Sequence, residues 1–178
     1  MIIYVSGGCK NGKSSLAEDW ASKLKGSGQL YYIATMIPHD DEDRARIKRH
    51  IASRAGKNFT TIECGMNIPE IIPQLDKDGT YLMDSVTALL GNEMFQGEII
   101  DKDAGKRVAK DLCLLANSVK NIVFVSDFIF SDQGMYDDFT DGYLKALAEI
   151  GIELAKIADC VVEVVLTNPI VYKGELPK

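Results

Sequence analysis

No two cysteines in this 178-residue sequence are close enough in the chain to act together: Cys9, Cys64, Cys113 and Cys160 are widely spaced and form no Cys-x-x-Cys pair. Neither a zinc site nor a disulfide framework is expected, and isolated thiols suit a reducing compartment, so a cytoplasmic location is expected. No apolar run approaches the ~18 residues of a membrane span. The opening Met1–Val5 is apolar for one strand's length before Gly7-Gly8 breaks it, so no secretory leader is expected. Positive charge is also scarce. Twenty Lys and Arg face 26 Asp and Glu, a net charge of −6, which argues against a broad nucleic-acid-binding surface and leaves small anionic ligands as the partners to consider. Repeats, low-complexity tracts and linkers are missing too. What remains is an ordinary globular composition, 46 % hydrophobic and 26 % charged, expected to form one domain over residues 1–178.

Short apolar runs alternate with helical patterns. Ile2–Ser6, Leu30–Thr35, Thr60–Glu63, Gly79–Asp84, Asn121–Ser126 and Cys160–Leu166 read as strands, several of them continuously apolar. Helices are predicted over 14–25, 41–54, 68–75, 86–94, 103–118 and 139–157, with 128–138 irregular. Leu16, Trp20 and Leu24 recur at i, i+4 and i+8 on the first helix. The alternation predicts an α/β fold of three layers, with a mostly parallel sheet covered on both faces.

The chemistry is concentrated at the first strand-to-helix junction. Gly7-Gly8-Cys9-Lys10-Asn11-Gly12-Lys13-Ser14 fits the phosphate-loop pattern Gly-x-x-x-x-Gly-Lys-Ser and has the strand before it and helix after it that the motif requires. Glycines let successive amides turn inward around a phosphate chain, and the helix directs its positive end to the same point. Lys13 is predicted to reach the β- and γ-phosphates and Ser14 to offer a hydroxyl to Mg²⁺. A strand-ending carboxylate should complete the metal site. Asp84 fits, and Asp127 is its rival.

A second constellation lies in Asp40–Arg54. As a helix, this segment carries Arg46, His50 and Arg54 on one face at i, i+4 and i+8, with acidic residues at its start. Two readings are open: a solvated, salt-bridged surface helix, or an imidazole flanked by guanidiniums and directed at phosphorus. His39 follows Pro38 in a predicted loop without such neighbours.

Taken in order, these pieces resemble the bifunctional adenosylcobinamide kinase / adenosylcobinamide-phosphate guanylyltransferase family of cobalamin biosynthesis. The resemblance rests on the phosphate loop, Tyr32-Ile33-Ala34-Thr35, the acidic cluster Asp40-Asp41-Glu42, Arg46-Ile47, Arg49-His50, Arg54, Phe59, Glu63, Asp84, Thr87, Asn92 and Ala158-Asp159-Cys160-Val161. It implies a RecA-like P-loop fold, a homotrimer, GTP and ATP as substrates with Mg²⁺, and a corrinoid acceptor. It also implies that His50 attacks the α-phosphorus of GTP and carries GMP to adenosylcobinamide phosphate, with Lys13 assisting. The nucleotide contacts implied are Gly7, Gly8, Cys9, Lys10, Asn11, Gly12, Lys13, Ser14, Thr35, Met36, Ile37, Ile51, Ala52, Ser53, Arg54, Glu63 and Asp84, with Ser14 and Asp84 on the metal. The sequence departs from the family pattern in three places. Arg49-His50 stands for a His-His pair, Cys9-Lys10-Asn11 fills the loop interior, and Ser126–Phe130 opens a segment, 126–134, where the family has Asn-Glu-Val-Gly. A P-loop kinase of another small metabolite and a nucleotide-dependent regulatory module are the rival readings.

Overall fold

A computed structural model of the chain describes residues 1–97, 99–130 and 136–178, apart from the side chain of Ser53. The later part of the divergent 126–134 segment, from Ser131 on, therefore lies outside the described residues.

The chain runs β1 (Ile2–Gly7), α1 (Lys13–Leu24), β2 (Leu30–Ala34), α2 (Asp41–Ser53), β3 (Thr60–Glu63), α3 (Ile68–Ile71), β4 (Thr80–Asp84), α4 (Val86–Met94), β5 (Phe95–Gln96), β6 (Ile99–Ile100), α5 (Ala104–Ser118), β7 (Asn121–Asp127), α6 (Asp138–Ile157), β8 (Cys160–Val165) and β9 (Asn168–Lys173). Seven strands form one sheet in the order β3-β2-β4-β7-β1-β8-β9. All neighbours pair in parallel except β8 and β9, which form an antiparallel hairpin. The short β5 and β6 make a separate antiparallel ribbon.

The predicted continuous apolar strands are central and buried on both faces. Along β7, Ile122 and Phe124 enter one core with α4, α5 and α6, while Val123 and Val125 enter the other with Ala17, Trp20 and Ala21 of α1. The period-2 alternation of side chains across a strand produces this division. The expected three-layer, mostly parallel α/β architecture is therefore present.

The differences from the sequence reading are local. The predicted helix 68–75 is one α-turn, then a 3₁₀ turn at Ile72–Gln74, because Pro73 has no amide to continue the ladder. The sequence pattern misses β9: Asn168–Lys173 is exposed throughout and contains Pro169, so it lacks a buried-strand signature. It also misses β5 and β6, at two residues each.

Helices α5 and α6 cross in close contact at Gly105. A Cβ there would lie 2.7 Å from Ala146 Cβ and 2.9 Å from Ala146 Cα. Overpacking a core costs about 1–3 kcal/mol, and alanine's better helix propensity offsets at most about 1 kcal/mol. Gly105→Ala should therefore lower stability by about 1–2 kcal/mol, read as an earlier urea midpoint at unchanged slope.

α2 differs from the other long helices. Asp40 caps it, accepting the Asp43 amide at 2.8 Å, and acidic residues fill its first turn. None of its described side chains is buried, and it packs extensively on no other element among the described residues. Its C-terminal end is held firmly. Arg54 is buried over the Tyr32 ring at 3.4 Å, and Lys57 pairs with Glu18 and Asp19 of α1 at 2.9 and 2.8 Å.

Candidate active site

Parallel strands bring their C-terminal ends to one edge of the sheet, where ligands of such folds collect. Here that edge carries Gly7 at the end of β1, Asp127 at the end of β7, Asp84 at the end of β4 and Thr35 just after β2.

The phosphate loop joins β1 to α1. Gly7 is required by space: a Cβ would come 2.7 Å from the Val164 carbonyl on β8. Gly12 takes φ +87°, the left-handed region open to glycine, and directs the chain into α1. Asn11, one of the residues that depart from the family pattern, has an evident local role. Its amide nitrogen donates to the Val164 carbonyl, and its side-chain oxygen accepts the Lys13 amide at 3.2 Å. Lys13 is buried and folds back over the loop. Its Nζ donates to the Gly8 carbonyl at 3.1 Å and lies 2.6 Å from Asp127 Oδ1. Asp127 is held in turn by Thr87, whose Oγ1 accepts its amide at 2.8 Å, and the next amide, of Phe128, donates to the Gly7 carbonyl at 2.9 Å.

Of the two candidate metal carboxylates, it is Asp127 that meets Lys13. Asp127 is in register with Gly7, whereas Asp84 pairs with Val125, which pairs with Val5. Asp84 thus stands two strands from β1, roughly 10 Å across the sheet. No sequence signal could separate the two, because strand order is not encoded in the local pattern of either strand. Asp84 faces Tyr32 instead, whose phenol is pushed upward by burial and by the Asp84 charge. Its Oδ2 is buried without a hydrogen-bond partner.

Thr35 fastens β2 to β4. Its Oγ1 accepts the Ser85 amide at 2.7 Å and donates to the Ser85 carbonyl at 2.8 Å. Asn92 donates to the carbonyls of Thr35 and Gly65, both at 2.8 Å. This network frames two adjoining hollows. The larger, about 780 Å³, is lined by His39, Arg46, Asn92, Asp127 and Tyr143 among others. The smaller, about 530 Å³, is lined by His50, Arg54, Glu63 and Asp84. Met36, Ile37, Ser85 and Ala88 line both, so the two form one trench. Tyr143 donates to the Thr87 carbonyl at 2.8 Å; burial, with the Asp127 charge, pushes its phenol up to about 12.

The structure therefore gathers the predicted site residues into two groups. Gly7, Gly8, Cys9, Lys10, Asn11, Gly12, Lys13 and Ser14 form the phosphate loop. Met36, Ile37, His50, Arg54, Glu63 and Asp84 line the smaller hollow, with Thr35 buried behind it. The Arg46–His50–Arg54 face is divided, with Arg46 on the larger hollow. Ile51 and Ala52 are exposed and do not line that hollow, and the Ser53 side chain lies outside the described residues. His50 is half-buried. Arg54 is buried with Nη1 unpartnered.

Cys9 is the only one of the four thiols that is exposed, and burial pushes those of Cys64, Cys113 and Cys160 up. Iodoacetamide should therefore label Cys9 first, and a bound triphosphate should slow that labelling several-fold, measured by mass spectrometry of the tryptic peptide.

A phosphate loop at the C-terminal edge of a parallel sheet, with its lysine on a carboxylate of the adjacent strand, defines a RecA-like P-loop nucleotide-binding protein. Solved structures agree on the fold. One of them, an ATPase domain, superposes with a TM-score of 0.59 at 12 % identity, covering 97 % of this chain and 76 % of its own. A KaiC-like protein, PH0186 from Pyrococcus horikoshii OT3, gives 0.52 at 13 % identity, covering 98 % and 79 %. No curated protein sequence matches the chain. The profile of the cobinamide kinase / cobinamide phosphate guanyltransferase family matches residues 3–171, and the chain belongs to that family of kinases and nucleotidyltransferases of cobalamin biosynthesis.

Proposed function

We propose that the protein phosphorylates adenosylcobinamide and transfers GMP from GTP to adenosylcobinamide phosphate through a guanylylated His50, yielding adenosylcobinamide-GDP. The observation that carries this reading is the placement of His50 in one hollow with Arg54, Glu63 and Asp84, continuous with the hollow that Asp127 joins to Lys13.

In the kinase step the acceptor hydroxyl oxygen bonds to the γ-phosphorus, the bond from that phosphorus to the β-bridging oxygen breaks, and the nucleoside diphosphate leaves. Lys13 exchanges Asp127 for phosphate oxygens and offsets their charge, and Asp127 is placed to accept the hydroxyl proton. In the guanylyl step a neutral imidazole nitrogen of His50 bonds to the α-phosphorus and pyrophosphate leaves; the acceptor's phosphate oxygen then displaces His50. Arg54 and the phosphate loop offset the charge on the departing oxygens. Because His50 stands in the last turn of α2, next to the anchored Arg54, the helix end holds the imidazole and the guanidinium on the same hollow.

The residues suit Mg²⁺. Among those described, no cluster of three or more His, Cys, Asp or Glu could hold a metal alone, and Mg²⁺ is ordinarily held by one or two carboxylates, water and substrate phosphates. Ser14 and Asp84 would be the residues to hold it. When bound, it would draw charge from the phosphate oxygens. The homotrimer is part of this reading and is tested by light scattering on the purified protein.

The deciding experiment incubates the protein with GTP labelled at the α-phosphate. Acid-labile, base-stable label on the protein is the expected result. Phosphorylation of an added alcohol without label would favour a plain kinase, and nucleotide binding with neither would favour a regulatory module.

A further inference from the structure

The two proposed reactions take place at opposite ends of the triphosphate, and this constrains how the nucleotide lies. For phosphoryl transfer the γ-phosphorus must face the acceptor. The loop lysine, which reaches the β- and γ-phosphates in such sites, points to Asp127 on the β7 side of β1, and Asp127 opens into the larger hollow. The nucleoside of the kinase donor must then leave the loop on the other side of β1, over β8 and β9. For guanylyl transfer the α-phosphorus must instead face His50, which places that nucleoside toward α2.

The turn between β8 and β9 stands where the kinase donor's nucleoside would emerge. Its central residues, Leu166 and Thr167, take φ +48° and +68°. Such two-residue turns prefer Asn-Gly, because side chains resist the left-handed region. Leucine and threonine are held there by the phosphate loop. The Thr167 amide donates to the Asn11 carbonyl at 3.1 Å, Asn11 donates to the Val164 carbonyl, and Thr167 Cγ2 sits 3.2 Å from where a Cβ on Gly12 would be. Leu166, beside these contacts, leaves 81 % of its surface exposed. An exposed leucine in a conformation that a small polar residue would fill at lower cost, fixed against the loop that grips phosphate, has the form of a resting surface for a ring.

We infer that the β8–β9 turn is the platform for the ribose and base of the kinase-step nucleotide, with Leu166 packing against the base and Thr167 setting its distance from Gly12. The inference rests on the phosphate loop holding the donor's triphosphate, as proposed above.

The test uses the full chain with Mg²⁺ and isothermal titration of ATP and of inorganic tripolyphosphate, which has no base. Leu166→Asn suits the purpose because asparagine accepts a positive φ more readily than leucine, so the variant should melt no lower than the parent. It should bind ATP roughly tenfold more weakly, with tripolyphosphate affinity unchanged. Lys13→Ala should weaken both ligands. Unchanged ATP affinity in Leu166→Asn, or equal losses for ATP and tripolyphosphate, overturns the platform while leaving the phosphate loop in place. A parent chain that binds neither ligand, or a Lys13→Ala variant that binds both as the parent does, overturns the phosphate-loop reading and the platform with it.

Discussion

Replacing Lys13 with alanine is expected to lower phosphoryl transfer by about 10³-fold, near the upper range for removing one charge-stabilising donor from an active site. Two effects act in the same direction. The ammonium that meets the triphosphate is lost from a buried position, where charge is poorly screened. Asp127 is then left without the cation 2.6 Å away, so a carboxylate faces the incoming phosphates unneutralised. Lys13→Gln, which keeps much of the length without the charge, should fare little better, whereas loss of packing alone would be largely restored by it. Steady-state rates with saturating acceptor, alongside melting curves, separate a catalytic defect from an unfolded protein. A rate within tenfold of the parent in Lys13→Ala would mean that the loop does not hold the transferred phosphate.

The other large effect concerns covalent chemistry. His50→Ala should abolish label from GTP marked at the α-phosphate and with it guanylyl transfer, while the kinase rate stays within a few-fold of the parent. The separation follows from the architecture: His50 lies on a helix that packs extensively on no other element among the described residues, and it lines the smaller hollow whereas Asp127, the partner of Lys13, lines the larger. Its removal opens no core cavity, so stability should change by less than about 1 kcal/mol. Persistent label in His50→Ala would move the nucleophile elsewhere, and His39, on the adjoining hollow, would be the next to replace. Parallel loss of kinase activity would mean instead that α2 contributes to both steps.

The order of strands and helices is legible in the sequence because each carries its own periodicity, and the phosphate loop is legible because its chemistry is contiguous. What sequence does not supply is adjacency between distant segments. Asp84 and Asp127 are equivalent as strand-ending carboxylates, and only the insertion of β7 between β1 and β4 separates their roles. The Asn11–Val164 and Thr167–Asn11 ties link residues more than 150 positions apart and leave no local trace. β9 is invisible for a different reason: as an exposed edge strand it has no buried face to impose alternation. Asp40–Arg54 is helical, with its caps, as the pattern predicts, but of the shared face only His50 and Arg54 line one hollow, while Arg46, a turn earlier, opens onto the other.

The central position of β1 has a consequence for how the protein is made. Its residues are synthesised well before the segments they pair with, Ile122–Asp127 and Cys160–Val164. At roughly 5–20 residues per second, the nascent segment waits several seconds for its first neighbour and longer for its second. Throughout that interval an apolar strand and a glycine-rich loop are tethered to a growing chain without the framework that shapes them. A truncated translation product would carry the whole phosphate-binding sequence and bind nothing with it, and the interval is one in which chaperones or co-translational aggregation compete for the N-terminal strand.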